Sequence, residues 1–166
     1  MKKSGRENLW IVIPAYNEEK NIETVIRQWH AIVDKTGEDS RLLLVDDGSK
    51  DHTLNIARHL QKTCPRLVAV TKENGGHGAA VLFGYHYAVS HGADYIFQTD
   101  SDGQTLPEEF WPLWADRELA GLLLGSRRHR QDGWDRILVT KTLKLIVAMM
   151  FGVCMEDINT PFRLMR

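Results

Sequence analysis

Asp100 and Asp102 stand two apart, around Ser101, just beyond the apolar triplet Tyr95-Ile96-Phe97. Carboxylates so spaced at a strand end can converge on one hard cation, with sugar or phosphate oxygens and water in the remaining positions. Gln104 offers a neutral oxygen nearby. A lone Asp-x-Asp also reads as an acidic turn, and it is the strand-end position, beside other polar strand ends, that favours the cation. Asp46-Asp47-Gly48-Ser49 forms a second acidic loop. Ser49 or Asp51 suits the N-cap of a following helix, which leaves Asp46 and Asp47 to accept hydrogen bonds from base N–H groups or ribose hydroxyls. Asn74-Gly75-Gly76-His77-Gly78-Ala79-Ala80 places three glycines before a helix. Backbone N–H groups and a positive helix end could there approach a diphosphate, although a plain turn fits as well. No Gly-Lys-Ser/Thr follows, and the loop does not come after the first strand. It is therefore neither a P-loop nor the dinucleotide fingerprint.

These loops need a scaffold, and the apolar pattern supplies one. Leu9-Trp10-Ile11-Val12-Ile13, Leu42-Leu43-Leu44-Val45 and Leu67-Val68-Ala69-Val70 are short unbroken runs, as expected of strands buried on both faces. Tyr95-Ile96-Phe97 and Leu122-Leu123-Leu124 add a fourth and a fifth. Between the first two runs, Ile22, Val25, Ile26, Trp29, Ile32 and Val33 lie on one helical stripe, with Gly37 as a stop. Leu54, Ala57 and Leu60 mark a second helix, residues 78–91 a third, and residues 107–116 a short fourth with Pro107 in its first turn. Alternating strands and helices predict an α/β fold, a Rossmann-like, mostly parallel sheet with helices on both faces. The polar clusters then gather at the C-terminal edge of the strands, where open α/β sheets bind ligands.

With 166 residues, 43% of them apolar, the chain can form a core as one domain, residues 1–166. Its 21 basic and 22 acidic side chains nearly cancel, which argues against a nucleic-acid binder. Cys64 and Cys154 match no metal-ligand spacing and read as reduced cysteines of a cytoplasmic protein. No apolar core follows the charged residues 1–8, so no secretory signal is expected. The longest apolar run, residues 145–155, falls short of the ~20 residues a membrane span needs.

The segments Ile11-Val12-Ile13-Pro14-Ala15-Tyr16-Asn17-Glu18, Val45-Asp46-Asp47-Gly48-Ser49-Lys50-Asp51, residues 74–80 and Asp100-Ser101-Asp102-Gly103-Gln104 resemble, in order and spacing, the loops of glycosyltransferase family 2. Members of that family are inverting nucleotide-sugar transferases with the GT-A fold. Within it the chain looks most like the polyprenyl-phosphate sugar transferases of cell-envelope synthesis, of the dolichyl-phosphate mannose synthase and undecaprenyl-phosphate glycosyltransferase type. Asp100-Ser101-Asp102-Gly103-Gln104 matches their Asp-Ala-Asp-Gly-Gln loop, and Gly125-Ser126-Arg127 their post-strand Gly-Ser-Arg. Arg136 with Thr140 resembles their Arg-x-x-x-Ser pair, and residues 157–163 their Asp-x-x-x-Gly-Phe-Arg segment, with Pro161 in place of the glycine.

The resemblance implies a UDP- or GDP-linked sugar as donor and a polyprenyl phosphate as acceptor. Pro14, Ala15, Tyr16 and Glu18 with Asp46 would hold the nucleoside, and Asp47, Asn74, Gly78, Asp100 and Ser101 complete the donor set. Asp100, Asp102 and Gln104 would bind Mg or Mn and the diphosphate. Arg127, Arg136 and Thr140 would take the acceptor phosphate. Asp102, Arg127, Arg136 and Asp157 form the catalytic group, with Asp157 as base if the acceptor is a saccharide hydroxyl. The subfamily's C-terminal helices are missing after Arg166, which suggests a trimmed chain and keeps a non-catalytic nucleotide-sugar binding domain open. A nucleotidyltransferase is disfavoured, since Pro14-Ala15-Tyr16-Asn17 replaces the Gly-rich basic loop expected after its first strand.

Residues 127–144 carry Arg127, Arg128, Arg130, Arg136, Lys141 and Lys144 among Trp134, Ile137 and Leu138. A basic amphipathic stretch of this kind suits an anionic membrane surface, and equally a surface helix with an apolar core face. The expected location is the cytoplasm, with the inner face of the membrane as a place of contact.

Overall fold

A computed structural model describes residues 7–125 and 162–166. Its elements run β1 (Leu9–Ala15), α1 (Ile22–Thr36), β2 (Arg41–Asp46), α2 (Thr53–Leu60), β3 (Leu67–Thr71), α3 (His77–Ser90), β4 (Tyr95–Gln98), a 3₁₀ turn (Pro107–Glu109), α4 (Phe110–Ala115), β5 (Leu122–Leu124) and β6 (Arg163–Met165). The sheet order is β3-β2-β1-β4-β6-β5. The first four strands in that order pair in parallel, whereas β6 pairs antiparallel with both β4 and β5.

The unbroken apolar runs are explained by two covered faces. Leu9, Ile11, Ile13, Leu42 and Leu44 pack on one side with Ile22, Val25, Ile26, Trp29 and Val33 of α1, Ala57 and Leu60 of α2, and Phe110 of α4. Trp10, Val12, Leu43 and Val45 project to the other side against Ala80 and Ala88 of α3. This alternation is the period-two geometry of a strand. All six residues of the expected α1 stripe are buried.

One contact fixes how closely α3 approaches the sheet. A Cβ placed on Gly84 would lie 2.4 Å from Val12 Cγ1 and 3.2 Å from Val45 Cγ2, so only glycine allows this helix to rest on the middle of β1 and β2. The end of α3 that carries His77 thereby comes to the C-terminal edge of those strands.

The antiparallel β6 departs from the expected strand set. Its three residues carry no recognisable period, and the strand exists because Phe97 and Gln98 of β4 offer Leu164 and Arg163 a ladder to complete. Among the described residues no helix is long and apolar enough to cross a membrane.

Candidate donor-binding cleft

A cleft of about 350 Å³ opens at the C-terminal ends of β1 and β2. Four loops wall it: Pro14, Ala15, Tyr16 and Glu18 after β1, Asp47 after β2, Asn74, Gly76, His77 and Ala80 around the start of α3, and Ser101 after β4.

The first two loops are latched together. Asn17 N–H donates to Ser49 Oγ (3.0 Å), and Lys50 N–H donates back to Asn17 Oδ1 (2.8 Å). Glu18 N–H reaches Thr53 Oγ1 at 2.8 Å and Glu19 N–H reaches Asp51 Oδ2 at 3.1 Å. Asn17 sits at φ +55°, a left-handed conformation that asparagine tolerates better than most residues. Burial raises the Asp51 carboxyl, but hydrogen bonds from the Thr53 hydroxyl, Thr53 N–H and Glu19 N–H outweigh it and hold the group below its ordinary range.

Asp47 ties the second loop to the third. Its side chain takes Lys72 Nζ at 2.6 Å, Gly75 N–H at 3.1 Å and Gly76 N–H at 2.7 Å. Asn74 Nδ2 adds a bond to the Asp47 carbonyl at 3.0 Å. Burial pushes this carboxyl up, and the Lys72 ammonium with the two glycine N–H groups more than reverses it, leaving the group below 3.8. Gly48 makes the junction possible: it has φ +70°, and a Cβ there would lie 2.9 Å from Asn74 N.

Asp46 behaves differently from the expected nucleoside contact. It is fully buried, accepting from Ser49 N–H (3.2 Å) and from the Thr71 hydroxyl (2.7 Å), and it does not line the cleft. Strand parity gives the reason. Asp46 continues the side of Leu42 and Leu44 beneath α1 and α2, whereas Asp47 falls on the α3 side where the cleft lies. The glycine loop also differs from expectation, since the N–H groups of Gly75 and Gly76 are donated to Asp47. Gly78 stands one residue outside the lining, and Gly76, His77 and Ala80 are part of it.

The fourth loop leaves β4 after Gln98, which accepts the Tyr85 hydroxyl proton beneath it. Thr99 and Thr105 hydroxyls close its base at 2.7 Å. Inside this neck Ser101 is buried, Asp100 partly exposed, and Asp102 and Gln104 exposed. Asp102 Oδ1 accepts Gln104 N–H at 2.9 Å, and Gly103 turns the chain at φ +75°. Two carboxylates and an amide on one turn are hard oxygen donors and suit a divalent cation. Among the described residues no cluster of three or more His, Cys, Asp or Glu forms a complete cage. An ion held here would draw further oxygens from its ligand and from water. Arg127, Arg136, Thr140 and Asp157 lie outside the described residues.

The model of glycosyl transferase family 2 matches residues 10–163. The chain belongs to glycosyl transferase family 2. It is 33% identical to the undecaprenyl-phosphate 4-deoxy-4-formamido-L-arabinose transferase of Pseudomonas fluorescens (strain Pf-5), over 94% of this chain and 46% of that protein. It is 31% identical to the protein of the same description from Enterobacter sp. (strain 638), over 94% of this chain and 48% of that one. This family 2 chain thus spans about half the length of the curated relatives it matches. Its fold is similar to that of glucosyl-3-phosphoglycerate synthase from Mycobacterium tuberculosis, solved with Mn²⁺, UDP-glucose and phosphoglyceric acid: TM-score 0.70, 22% identity, 98% of this chain and 57% of that chain. Mannosyl-3-phosphoglycerate synthase from Rubrobacter xylanophilus gives a TM-score of 0.72 at 16% identity, over 96% of this chain and 53% of that chain. These neighbours share the GT-A fold.

Proposed function

We propose that the chain transfers a sugar from a UDP- or GDP-linked donor to a polyprenyl phosphate, with inversion at the anomeric carbon. The observation that carries the reading is the cleft itself, where an aromatic and acidic wall from the loops after β1 and β2 faces Ser101, the middle residue of the Asp100-Ser101-Asp102 loop, while Asp100, Asp102 and Gln104 stand just outside the lining. The names of the two relatives support the acceptor, and the family supports the donor class.

Tyr16, exposed at the rim, offers an aromatic face to a base, and Glu18 and Asp47 offer acceptor oxygens for base N–H or ribose hydroxyl groups. Asp100, Asp102 and Gln104 would hold Mg or Mn, which when bound supplies a Lewis acid that neutralises charge on the departing diphosphate. A phosphate oxygen of the acceptor forms the new bond to the anomeric carbon as the bond to the diphosphate oxygen breaks. That phosphate is already ionised near neutral pH, so no strong general base is required of the protein. Arg127, Arg136 and Thr140 are proposed to receive it. Work at the inner face of the membrane follows from a lipid acceptor.

The test is release of nucleoside diphosphate from UDP- and GDP-sugars with Mg or Mn, with and without polyprenyl phosphate. Release that requires the lipid phosphate is the expected result. Release that requires a saccharide instead would move the acceptor to a hydroxyl. Donor binding with no release under any condition would leave a nucleotide-sugar binding domain.

A further inference from the structure

His77 is the residue of this cleft that neither the nucleoside wall nor the metal loop uses. It opens α3, lines the cleft, and has a side chain 62% exposed. Its Nε2 stands 3.9 Å from Asp100 Oδ1, beyond hydrogen-bond reach but beside that carboxylate. His77 therefore lies where the cleft lined by Tyr16, Glu18 and Asp47 comes closest to the Asp100 carboxylate. On the reading above, a nucleoside diphosphate with its base at Tyr16 and Glu18 and its phosphates at the Asp100 loop would pass this side chain.

Elimination strengthens the assignment. Two other groups of the α3 loop are already committed in whole or in part, Gly76 N–H to the Asp47 carboxylate and one Asn74 Nδ2 hydrogen to the Asp47 carbonyl. Lys72, the nearest lysine in sequence, is held by Asp47 and by the Glu73 carbonyl and does not line the cleft. Among the described lining residues none is a lysine or arginine, while Glu18 and Asp47 are acids. A doubly charged phosphate entering here meets, beside the remaining Asn74 amide hydrogen, the exposed imidazole, which carries at least one N–H whether neutral or charged.

We infer that His77 is a donor-binding residue that hydrogen-bonds the diphosphate of the nucleotide sugar and aligns it with the carboxylate pair. The inference rests on the nucleotide-sugar reading above and adds a role for a residue that reading leaves unassigned. A purely local role, as a neighbour of Asp100, predicts no dependence on the ligand's phosphates.

The experiment is calorimetric titration of the full chain with UDP, GDP, uridine and guanosine, with and without Mn. Wild type, His77→Ala, His77→Gln and Asp102→Asn are compared, and thermal melting checks that each is folded. For whichever diphosphate binds, His77→Ala should weaken it roughly tenfold, the scale of one hydrogen bond to a charged group. The matching nucleoside should bind unchanged, and His77→Gln, which keeps a donor, should recover part of the loss. An unchanged diphosphate affinity in His77→Ala, with tight wild-type binding, overturns the role of His77 alone. Equal losses for nucleoside and diphosphate overturn it too, by making the residue a loop support. Failure of wild type to bind either diphosphate, with or without Mn, overturns the nucleotide-sugar reading and this inference with it.

Discussion

Each carboxylate around the cleft has its work divided by what already holds it. Asp46 and Asp47 are adjacent in sequence, yet one is sealed against Thr71 and Ser49 and the other faces the cleft while gripping Lys72 and the glycine loop. Asp102 stands on an exposed turn, and its Oδ2 takes no bond from the described residues. Asp102→Asn keeps the shape and removes the charge, so it should leave thermal stability unchanged while abolishing the tightening of nucleoside diphosphate by Mn. Calorimetry with and without Mn decides this, and an undiminished Mn effect would remove Asp102 from the proposed metal site. Asp47 should behave in the opposite sense. Asp47→Asn weakens charge-assisted bonds in a nearly buried place and should cost ~1.5–3 kcal/mol of unfolding free energy in urea titrations. Lys72→Met should overlap with it, the double variant losing less than the two singles added, because both changes break one pair. Full additivity would show that the 2.6 Å contact carries no coupling.

At the scale of elements, burial on both faces makes β1 and β2 readable in the sequence, because such strands must be apolar at every position. The α1 stripe is equally plain, since a helix against a sheet buries one side only. β6 was not readable: its three residues become a strand only through the ladder between β4 and β5. The site divides in the same way. The position of Asp100-Ser101-Asp102 at a strand end is a local fact, visible once β4 is assigned. Thr71 and Lys72, which hold Asp46 and Asp47, lie 25 residues away at the end of β3, and no local pattern announces them. Strand parity was the one available signal, and carried past Val45 it separates the inward Asp46 from the cleft-facing Asp47. The seat of α3 gives a sharp test. Gly84→Ala puts a methyl group 2.4 Å from Val12 Cγ1, and overpacking of this kind costs ~1–3 kcal/mol. The helix must lift at its middle, so His77 and Ala80 should shift with it. Loss of stability in urea should be accompanied by weaker nucleoside diphosphate binding. Val12→Ala in the Gly84→Ala background opens the space again and should recover part of both, whereas a stable, fully binding Gly84→Ala would show that α3 does not depend on this close approach.

Across the whole molecule, the loop network makes stability depend on acid in a defined direction. Asp47 and Asp51 are buried enough for desolvation to raise their carboxyls, yet Lys72 with Gly75 and Gly76 in one case, and Thr53 with Glu19 in the other, bring both below the ordinary 3.8. In the unfolded chain the same groups return to that value, so in acid the unfolded state binds more protons than the folded one. The stabilisation from each is therefore complete above about pH 5, falls as the pH drops through 3.8, and is exhausted once the folded groups are protonated as well. The two carboxyls clamp different pairs of loops, Asp51 joining the first to the second and Asp47 the second to the third, so their protonation should loosen the cleft from both sides. Urea midpoints measured from pH 6 down to pH 3 should fall steadily for the wild-type chain. Asp47→Asn and Asp51→Asn should start lower at pH 6 and fall less steeply, because each lacks one of the groups that drive the slope. Nucleoside diphosphate affinity at fixed Mn should decline over the same acid range in the wild type, and the Asn variants should already resemble the acid state at pH 6. If both variants keep the wild-type slope between pH 5 and pH 3, these two carboxyls do not set the acid limit, and the fall must come from acids elsewhere in the chain.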